Sequence, residues 1–201
     1  VFFGSGSIYK SENAGDLWSV LGELSGSSRT LLELVEENVL LVGTWANGIR
    51  RSINGGLNFS RVHENLTPFP APSVITSFAV HPTNGALYAS EHQMGLFGDS
   101  NILRSVDQGA NWSVLSALSH EEIYDLKLHA TDPQVMYAAV DPSRSVQNNS
   151  AVIKSINGGV SFVSTSLDML NHLYALAVTP LTPSSLWAVG DGIWRSVNAG
   201  G

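Results

Sequence analysis

Eight residues of types that bind ligands or catalyse reactions fall between the predicted strands of this chain. They are Trp45, Asn47, Glu91, His92, Asp99, Asp141, Arg144 and Asp191. An exposed indole can stack on a sugar ring, and two carboxyl groups roughly 5–10 Å apart can cleave a glycosidic bond as acid and base. For Trp45 the alternative is packing between neighbouring repeats. For the carboxylates the alternative is a set of solvated loop charges.

Composition excludes several other classes of site. The chain has no cysteine, so disulfides and thiolate metal sites are absent, and its six histidines show no ligand spacing. We therefore expect no metal and no cofactor. The net charge is −7 and the ten basic residues are scattered singly, which argues against nucleic acid as a partner. No stretch of eighteen apolar residues is present to span a membrane.

One hairpin motif occurs five times, and a Lys or Arg precedes each Ser. Four copies show the full pattern Ser-x-[Asn/Asp]-x-Gly-x-x-[Trp/Phe], and the fifth is seen from Ser196 to Gly200. The steps between successive serines are 41, 53, 50 and 41 residues. The motif residues are Ser11, Asn13, Gly15, Trp18, Ser52, Asn54, Gly56, Phe59, Ser105, Asp107, Gly109, Trp112, Ser155, Asn157, Gly159, Phe162, Ser196, Asn198 and Gly200.

Each motif position has a physical reason. The Asn or Asp side chain accepts backbone N–H groups within its own turn, the Ser hydroxyl braces the same turn, and Gly supplies a positive φ. The aromatic residue begins the next strand and can bury a large apolar area. Only Asp107 is an acid, whereas the other four motifs carry Asn. Because Asn keeps the oxygen but not the charge, we expect these turns to be structural and not calcium sites.

Short apolar strands surround each motif, and four of them per ~45 residues is typical of β-propeller blades. We therefore predict an all-β fold built of four-stranded antiparallel blades. The whole chain, 1–201, is one propeller segment. Its predicted blades are 1–25 (partial), 26–66, 67–119, 120–168 and 169–201 (partial).

The motif, with flanking segments such as Leu87–Ser90 and Ile102–Trp112, resembles the Asp-box or BNR repeat of sialidase-type propellers. The chain is similar to the propellers of sortilin-type receptors, xyloglucan-active endoglucanases and photosystem II assembly factors. The resemblance implies a propeller fold. It does not select a function, because the same fold serves hydrolases, receptors and scaffolds.

The predicted strand count is three, four, four, four and three, which leaves the first and last blades incomplete. Since a closed ring protects its sheet edges, we expect this segment to belong to a ring of six to eight blades. The missing strands then come from the rest of a longer chain or from another chain. The first residue, Val1, is not an initiator Met, which suggests a chain cut or processed upstream.

If the strands of a blade are lettered A to D, the long insertions all belong to the B–C and D–A loops. They are 64–73, 91–100 and 141–150. Variable loops gathered on one face of a repeat array commonly mark a binding face, although tolerated insertions explain them equally well. The motifs lie on the opposite face.

Three functions compete. The first, which we favour, is a non-catalytic binding or assembly propeller that recognises a protein or glycan through its B–C and D–A loops. The second is a fragment of a glycoside hydrolase, xyloglucanase-like or sialidase-like, whose catalytic acids lie partly outside the segment. The third is a sortilin-type receptor fragment, which the absence of Cys disfavours. Four Asn-x-Ser/Thr sequons (Asn58, Asn65, Asn111, Asn148) favour an extracellular or periplasmic location, although an Asn- and Ser-rich chain contains such sites by chance.

Overall fold

The computed structural model describes residues 2–4, 7–23, 30–62, 73–93, 99–119, 122–141, 151–167, 173–179, 182 and 185–200. These residues form five antiparallel sheets and no helix. Sheet 1 contains β1 (Phe2–Gly4), β2 (Ser7–Lys10) and β3 (Ser19–Glu23). Sheet 2 contains β4 (Thr30–Glu36), β5 (Val39–Thr44), β6 (Ile49–Ser52) and β7 (Ser60–Arg61).

Sheet 3 contains β8 (Ser73–Val80), β9 (Leu87–Gln93), β10 (Ser100–Ser105) and β11 (Ser113–Leu118). Sheet 4 contains β12 (Ile123–Leu128), β13 (Met136–Val140), β14 (Val152–Ser155) and β15 (Val163–Ser164). Sheet 5 contains β16 (Leu173–Val178), β17 (Leu186–Gly190) and β18 (Ile193–Ser196). Within each sheet, every strand pairs with its neighbour in sequence. The all-β propeller architecture with incomplete first and last blades is therefore confirmed.

The five hairpin motifs fold into the same hydrogen-bonded turn. In the third motif the Ser105 hydroxyl donates to Asp107 Oδ1 at 2.8 Å and accepts the N–H of Gly109 at 2.9 Å. The N–H of Asn111 donates to the same Asp107 oxygen at 2.9 Å. The first two bonds recur in all five motifs with distances of 2.7–2.9 Å. The turn is built in the same way whether Asn or Asp is present.

The glycine of the motif is required by packing as well as by its backbone angle. Gly109 has a φ of +78°, and a Cβ there would lie 2.7 Å from a methyl group of Leu41 in the preceding sheet. Gly56 makes the same close approach to Leu21. The turns of the second to fifth motifs thus each contact a side chain of the sheet before them.

The apolar core lies between successive sheets. The first strands of sheets 2 to 5 lie side by side, because β4 contacts β8, β8 contacts β12 and β12 contacts β16. One buried cluster joins Leu41 and Ile49 of sheet 2 to Leu87, Leu103 and Trp112 of sheet 3. Burial of this kind is worth about 25 cal/mol per Å² of apolar area, so each sheet is stabilised chiefly by its neighbours.

The outer side of sheet 5 is open within the described part of the chain. Trp187 is 39% exposed. Trp187 pairs with the basic residue that precedes the motif serine. The residues with the same pairing in sheets 2, 3 and 4 are Leu41, Tyr88 and Tyr137, and all three are almost fully buried. The difference agrees with an incomplete ring, in which sheet 5 has no following sheet to cover it.

Candidate binding face

Four of the residues singled out from the sequence occupy the same position in four successive sheets. In each of these sheets the motif serine pairs with one residue of the preceding strand. The singled-out residue lies five positions further along the chain from that partner. The four are Trp45, His92, Asp141 and Asp191. They therefore lie on one rim of the molecule, at the strand ends opposite the hairpin motifs. Of these, Asp191 is exposed, Trp45 is half-buried, and His92 and Asp141 are buried.

The placement of Glu91 and His92 in a long loop is wrong. Both residues belong to β9, which extends to Gln93, and the insertion resumes pairing at Ser100 in β10. Glu91 is fully buried and accepts a hydrogen bond from the amide of Asn101 at 3.0 Å. His92 lies 3.4 Å from the hydroxyl of Ser100. Ser73 likewise begins β8 and does not lie in a loop.

The end of sheet 3 is consequently a buried polar patch, which sequence reasoning did not detect. Besides Glu91 and His92 it contains several small polar side chains, among which Ser90 meets Thr76 at 2.7 Å. Two of the corresponding residues of sheet 4 are apolar, with Val140 and Ala139 in place of Glu91 and Ser90, whereas Asp141 takes the place of His92. Sheet 3 therefore departs from its neighbour at the rim where the binding face was predicted.

A tyrosine pair lies at the same rim and was also missed. Tyr124 and Tyr174 stand at the register shifts of β12 and β16, and their ring centroids are 6.2 Å apart in an edge-on arrangement. The Tyr124 hydroxyl donates to Asp141 Oδ2 at 3.4 Å. Tyr174 is 58% exposed. A signal was present in the sequence, since Tyr follows the first apolar residue of both strands, in Ile123-Tyr124 and Leu173-Tyr174.

Asp125 is the most strongly bonded carboxylate of the inner strands. Its Oδ1 accepts the Ser77 hydroxyl at 2.8 Å and the Lys127 ammonium at 2.6 Å, while its Oδ2 accepts the N–H of Leu176 at 2.9 Å. Ser77 belongs to sheet 3 and Leu176 to sheet 5. The carboxylate thus ties three sheets together, and its oxygens are committed to that role.

The turn after β5 is held from within. Thr44 accepts the N–H of Asn47 on its hydroxyl at 2.9 Å, and Arg61 donates to the Asn47 side-chain oxygen at 2.6 Å. Trp45 lies inside this fixed turn and is half-buried. Asn47 therefore positions the turn that carries Trp45.

The remaining candidates do not gather into one site. Asp99 is exposed, and its carbonyl accepts the N–H of Gln93 at 2.9 Å. Arg144 lies outside the described residues. Across the described ranges no group of three His, Cys, Asp or Glu side chains could hold a metal ion. The same ranges contain no helix that is long and apolar enough to cross a membrane.

Comparison with known proteins identifies the fold. No protein-family model and no curated protein matches the sequence. Among solved structures, the chain resembles the GH74 enzyme of Niastella koreensis, with a TM-score of 0.72, 17% identity, and coverage of 96% of this chain and 33% of that one. It also resembles the GH74 xyloglucanase of Xanthomonas campestris, with a TM-score of 0.71, 17% identity, and coverage of 98% and 34%.

A Hadza microbial sialidase gives a TM-score of 0.68 at 13% identity, over 96% of this chain and 50% of that one. The chain thus spans about a third to a half of the length of these relatives. At such identities the likeness shows the β-propeller fold and nothing further.

Proposed function

We propose that this chain is part of a non-catalytic propeller that binds a glycan at the rim formed by Tyr124, Tyr174 and Asp141. The observation that carries the proposal is the tyrosine pair. Tyr174 is 58% exposed, and its ring contacts Tyr124. Tyr124 in turn donates its hydroxyl hydrogen to the buried carboxylate of Asp141. A protein ligand at the same rim is the other form of this binding function.

The chemistry of the rim suits a sugar. A tyrosine ring offers an apolar face with a polar tip, and the apolar face of a pyranose can stack on it. The edge-on contact with Tyr124 fixes the Tyr174 ring, which lowers the entropy lost when a ligand binds. Asp141 is buried and accepts the Tyr124 hydroxyl at 3.4 Å, so its part in the site is to position the tyrosine pair.

The carboxylates of the described residues favour binding over hydrolysis. A glycosidase needs an acid and a base that both reach the substrate. Asp125 is bonded by donors from three strands, and Glu91 is enclosed in sheet 3 and bonded to Asn101. The alternative is a fragment of a glycoside hydrolase whose catalytic acids lie partly outside residues 1–201.

The finer assignments belong to the same proposal. We assign the five motifs to the structural Asp-box type, supported by their common Ser–Asn–Gly bonding. We also place the protein outside the cytoplasm, supported by the exposed sequon residues Asn58 and Asn111. The blade boundaries and the remaining candidates Trp45, Asn47, Glu91, His92, Asp99, Arg144 and Asp191 stay proposals for the same face.

The test is a glycan array followed by calorimetric titration of any β-glucan or sialoside that binds. We expect Tyr174→Ala to weaken binding about fivefold, since stacked aromatic contacts contribute on the order of 1 kcal/mol. Val106→Ala, which changes an exposed residue of the third hairpin motif, is the matched control and leaves the affinity unchanged.

Three outcomes contradict the proposal. Affinity that does not respond to Tyr174→Ala removes the tyrosine pair from the site. Hydrolysis of the bound glycan that Asp141→Asn abolishes supports the hydrolase alternative instead. Capture of a protein at this rim in a pull-down, with no glycan bound on the array, replaces the glycan by a protein ligand.

A further inference from the structure

Four asparagines of this chain are followed directly by glycine, the dipeptide in which an asparagine side chain most readily loses its amide group. The four are Asn47, Asn54, Asn84 and Asn157. In this reaction, deamidation, the backbone nitrogen of the glycine attacks the side-chain carbonyl carbon of the asparagine. Glycine permits the attack because it has no Cβ to crowd the ring that forms. Since the dipeptide is the same at all four positions, the folded structure decides which of them reacts.

The reaction needs only water as a co-reactant. A bond forms between the glycine nitrogen and Cγ of the asparagine, the bond from Cγ to Nδ2 breaks, and ammonia leaves with the proton that the glycine nitrogen gives up. Water then opens the resulting succinimide ring at either carbonyl carbon and leaves aspartate or isoaspartate. Negative charge develops on Oδ1 during the attack, so a donor at that oxygen favours the step. An acceptor that holds the glycine N–H opposes it, because that hydrogen bond has to break.

Three of the four glycines have their N–H held by a backbone carbonyl. These bonds run from Gly55 to Asn38 at 3.0 Å, from Gly85 to His81 at 3.2 Å and from Gly158 to Gln134 at 2.8 Å. In Asn54 and Asn157 the side-chain oxygen is fixed as well, since each accepts a Ser hydroxyl and a backbone N–H of its own motif at 2.9–3.0 Å. The hairpin motifs thus protect their own Asn–Gly pairs.

The pair Asn47–Gly48, in the turn after β5, lacks this protection. Gly48 is buried, and its N–H has no hydrogen-bond acceptor among the residues that the structure describes. A buried N–H without an acceptor is destabilised, and closing the ring removes it. Asn47 is only half-buried, so water can reach its side chain.

The side-chain oxygen of Asn47 also has a cationic donor. Arg61 donates from Nη2 to Asn47 Oδ1 at 2.6 Å, at the atom where negative charge develops. Charge-assisted bonds of this kind are about twice as strong as neutral ones, and a donor already in place needs no reorganisation when the charge appears. The donors to the other three asparagine oxygens are neutral Ser hydroxyls and backbone N–H groups.

We propose that Asn47 is the asparagine that converts spontaneously to aspartate and isoaspartate in the folded protein. The product carries a carboxylate beside the Arg61 guanidinium, so an ion pair replaces the present hydrogen bond. Isoaspartate also adds a methylene group to the backbone of the turn that carries Trp45, which Asn47 now holds through Thr44 and Arg61. The reaction depends on this turn alone and not on glycan binding at the tyrosine pair.

The test follows deamidation by peptide mass spectrometry while the protein is incubated in mildly alkaline buffer at physiological temperature. Each event adds about 1 Da and a negative charge, and proteolysis assigns it to one Asn–Gly pair. We expect Asn47 to react about fivefold faster than Asn54, Asn84 or Asn157, the factor that one hydrogen bond typically contributes. The same incubation in concentrated urea is the matched control, because the unfolded chain should deamidate at similar rates at all four pairs.

A variant of Arg61 tests the donor separately. Arg61→Gln removes the cation but keeps a polar side chain, and it should slow the reaction at Asn47 about fivefold while the other three rates stay unchanged. An unchanged rate at Asn47 in this variant overturns the role assigned to Arg61. A folded parent protein in which Asn47 reacts no faster than Asn54 and Asn157 overturns the proposal as a whole.

Discussion

Ser77 of sheet 3 donates its hydroxyl hydrogen to Asp125 of sheet 4 across 2.8 Å, in a contact from which water is almost excluded. The same carboxylate accepts the N–H of Leu176 in sheet 5 at 2.9 Å. Sheets that share no backbone hydrogen bonds are therefore joined through one side chain. This tie lies on the inner strands, where the sheets are closest.

Replacing Asp125 by alanine should lower the free energy of unfolding by about 3–5 kcal/mol. The change leaves the Ser77 hydroxyl and the Leu176 N–H without their acceptor, and removing one member of a buried charged network typically costs this much. Urea unfolding followed by fluorescence measures the effect. Asp16→Ala, at an exposed position, is the control and should stay within about 0.5 kcal/mol of the parent. A loss of less than about 1 kcal/mol for Asp125→Ala contradicts the tie.

In the second and fourth motifs the basic residue before the motif serine connects neighbouring turns. Lys154 donates to the carbonyl of Ala199 in the next motif at 2.7 Å, and Arg51 donates to the carbonyl of Gln108 at 2.9 Å. The buried Tyr137 hydroxyl reaches the same Ala199 oxygen at 3.1 Å, and burial raises the pKa of that phenol. At these two motifs the basic residue thus has a structural role.

Lys154→Met should cost about 1 kcal/mol of unfolding free energy, the usual value of one hydrogen bond, while the apolar part of the side chain is kept. Lys10→Met is the matched control, because Lys10 pairs with the exposed Glu12 of its own turn at 2.8 Å. Exposed pairs of this type are screened by water, so Lys10→Met should cost less than Lys154→Met. Chemical denaturation of both variants measures the difference, and equal losses would remove the role assigned to Lys154.

The strand order was predictable because the motif fixes the position of each hairpin. Once Ser105 and Gly109 are placed, the strands on either side follow from the period-2 apolar pattern and from the short turns. The buried serines of the motif, such as Ser52 and Ser155, are found where the pattern predicts them.

Contacts between sheets were not predictable in the same way. Asp125 and Glu91 are both single acids in short strands, and nothing local in the sequence distinguishes a tie between three sheets from a solvated charge. The burial of Glu91 depends on β9 being longer than its equivalents, so that the residue pairs with Asn101 in the sheet. The tyrosine pair likewise depends on register shifts in β12 and β16, which the strand pattern does not reveal.

Ala14→Gly should stabilise the protein by up to about 1 kcal/mol. Ala14 has a φ of +59°, a left-handed conformation that costs an L-residue roughly 1–2 kcal/mol, offset in part by the greater chain entropy of glycine. The second and fourth motifs already carry Gly at this position, as Gly55 and Gly158. Thermal denaturation measures the gain. Ala117→Gly, in the exposed part of β11, is the control and should destabilise by roughly 0.5–1 kcal/mol; destabilisation by both changes would refute the strain at Ala14.

Asp107 should make the third motif sensitive to acid in a way that the Asn motifs are not. Desolvation is the largest single influence and raises the pKa of this carboxyl, but the hydrogen bonds from Asn111 and Ser105 together outweigh it, and the pKa is lowered overall. Because the folded pKa lies below the ordinary value of about 4, the stabilisation is complete above that pH. It is lost as the pH falls through the lowered pKa. The effect should stay below about 1 kcal/mol, since the group is exposed and screened by water.

The measurement compares the unfolding free energy of the parent with that of Asp107→Asn from pH 7 to pH 2. The unfolding free energy of the parent minus that of Asp107→Asn should be constant down to about pH 5. Below that pH this difference should decrease, because only the parent loses stability through the carboxyl group. The reverse exchange, Asn157→Asp, puts a carboxylate within reach of Ser155 and Ser161 in the fourth motif and should introduce the same acid sensitivity there. A parent and an Asp107→Asn variant whose stabilities fall in parallel below pH 4 would show that the hydrogen bonds of the motif do not depend on its charge.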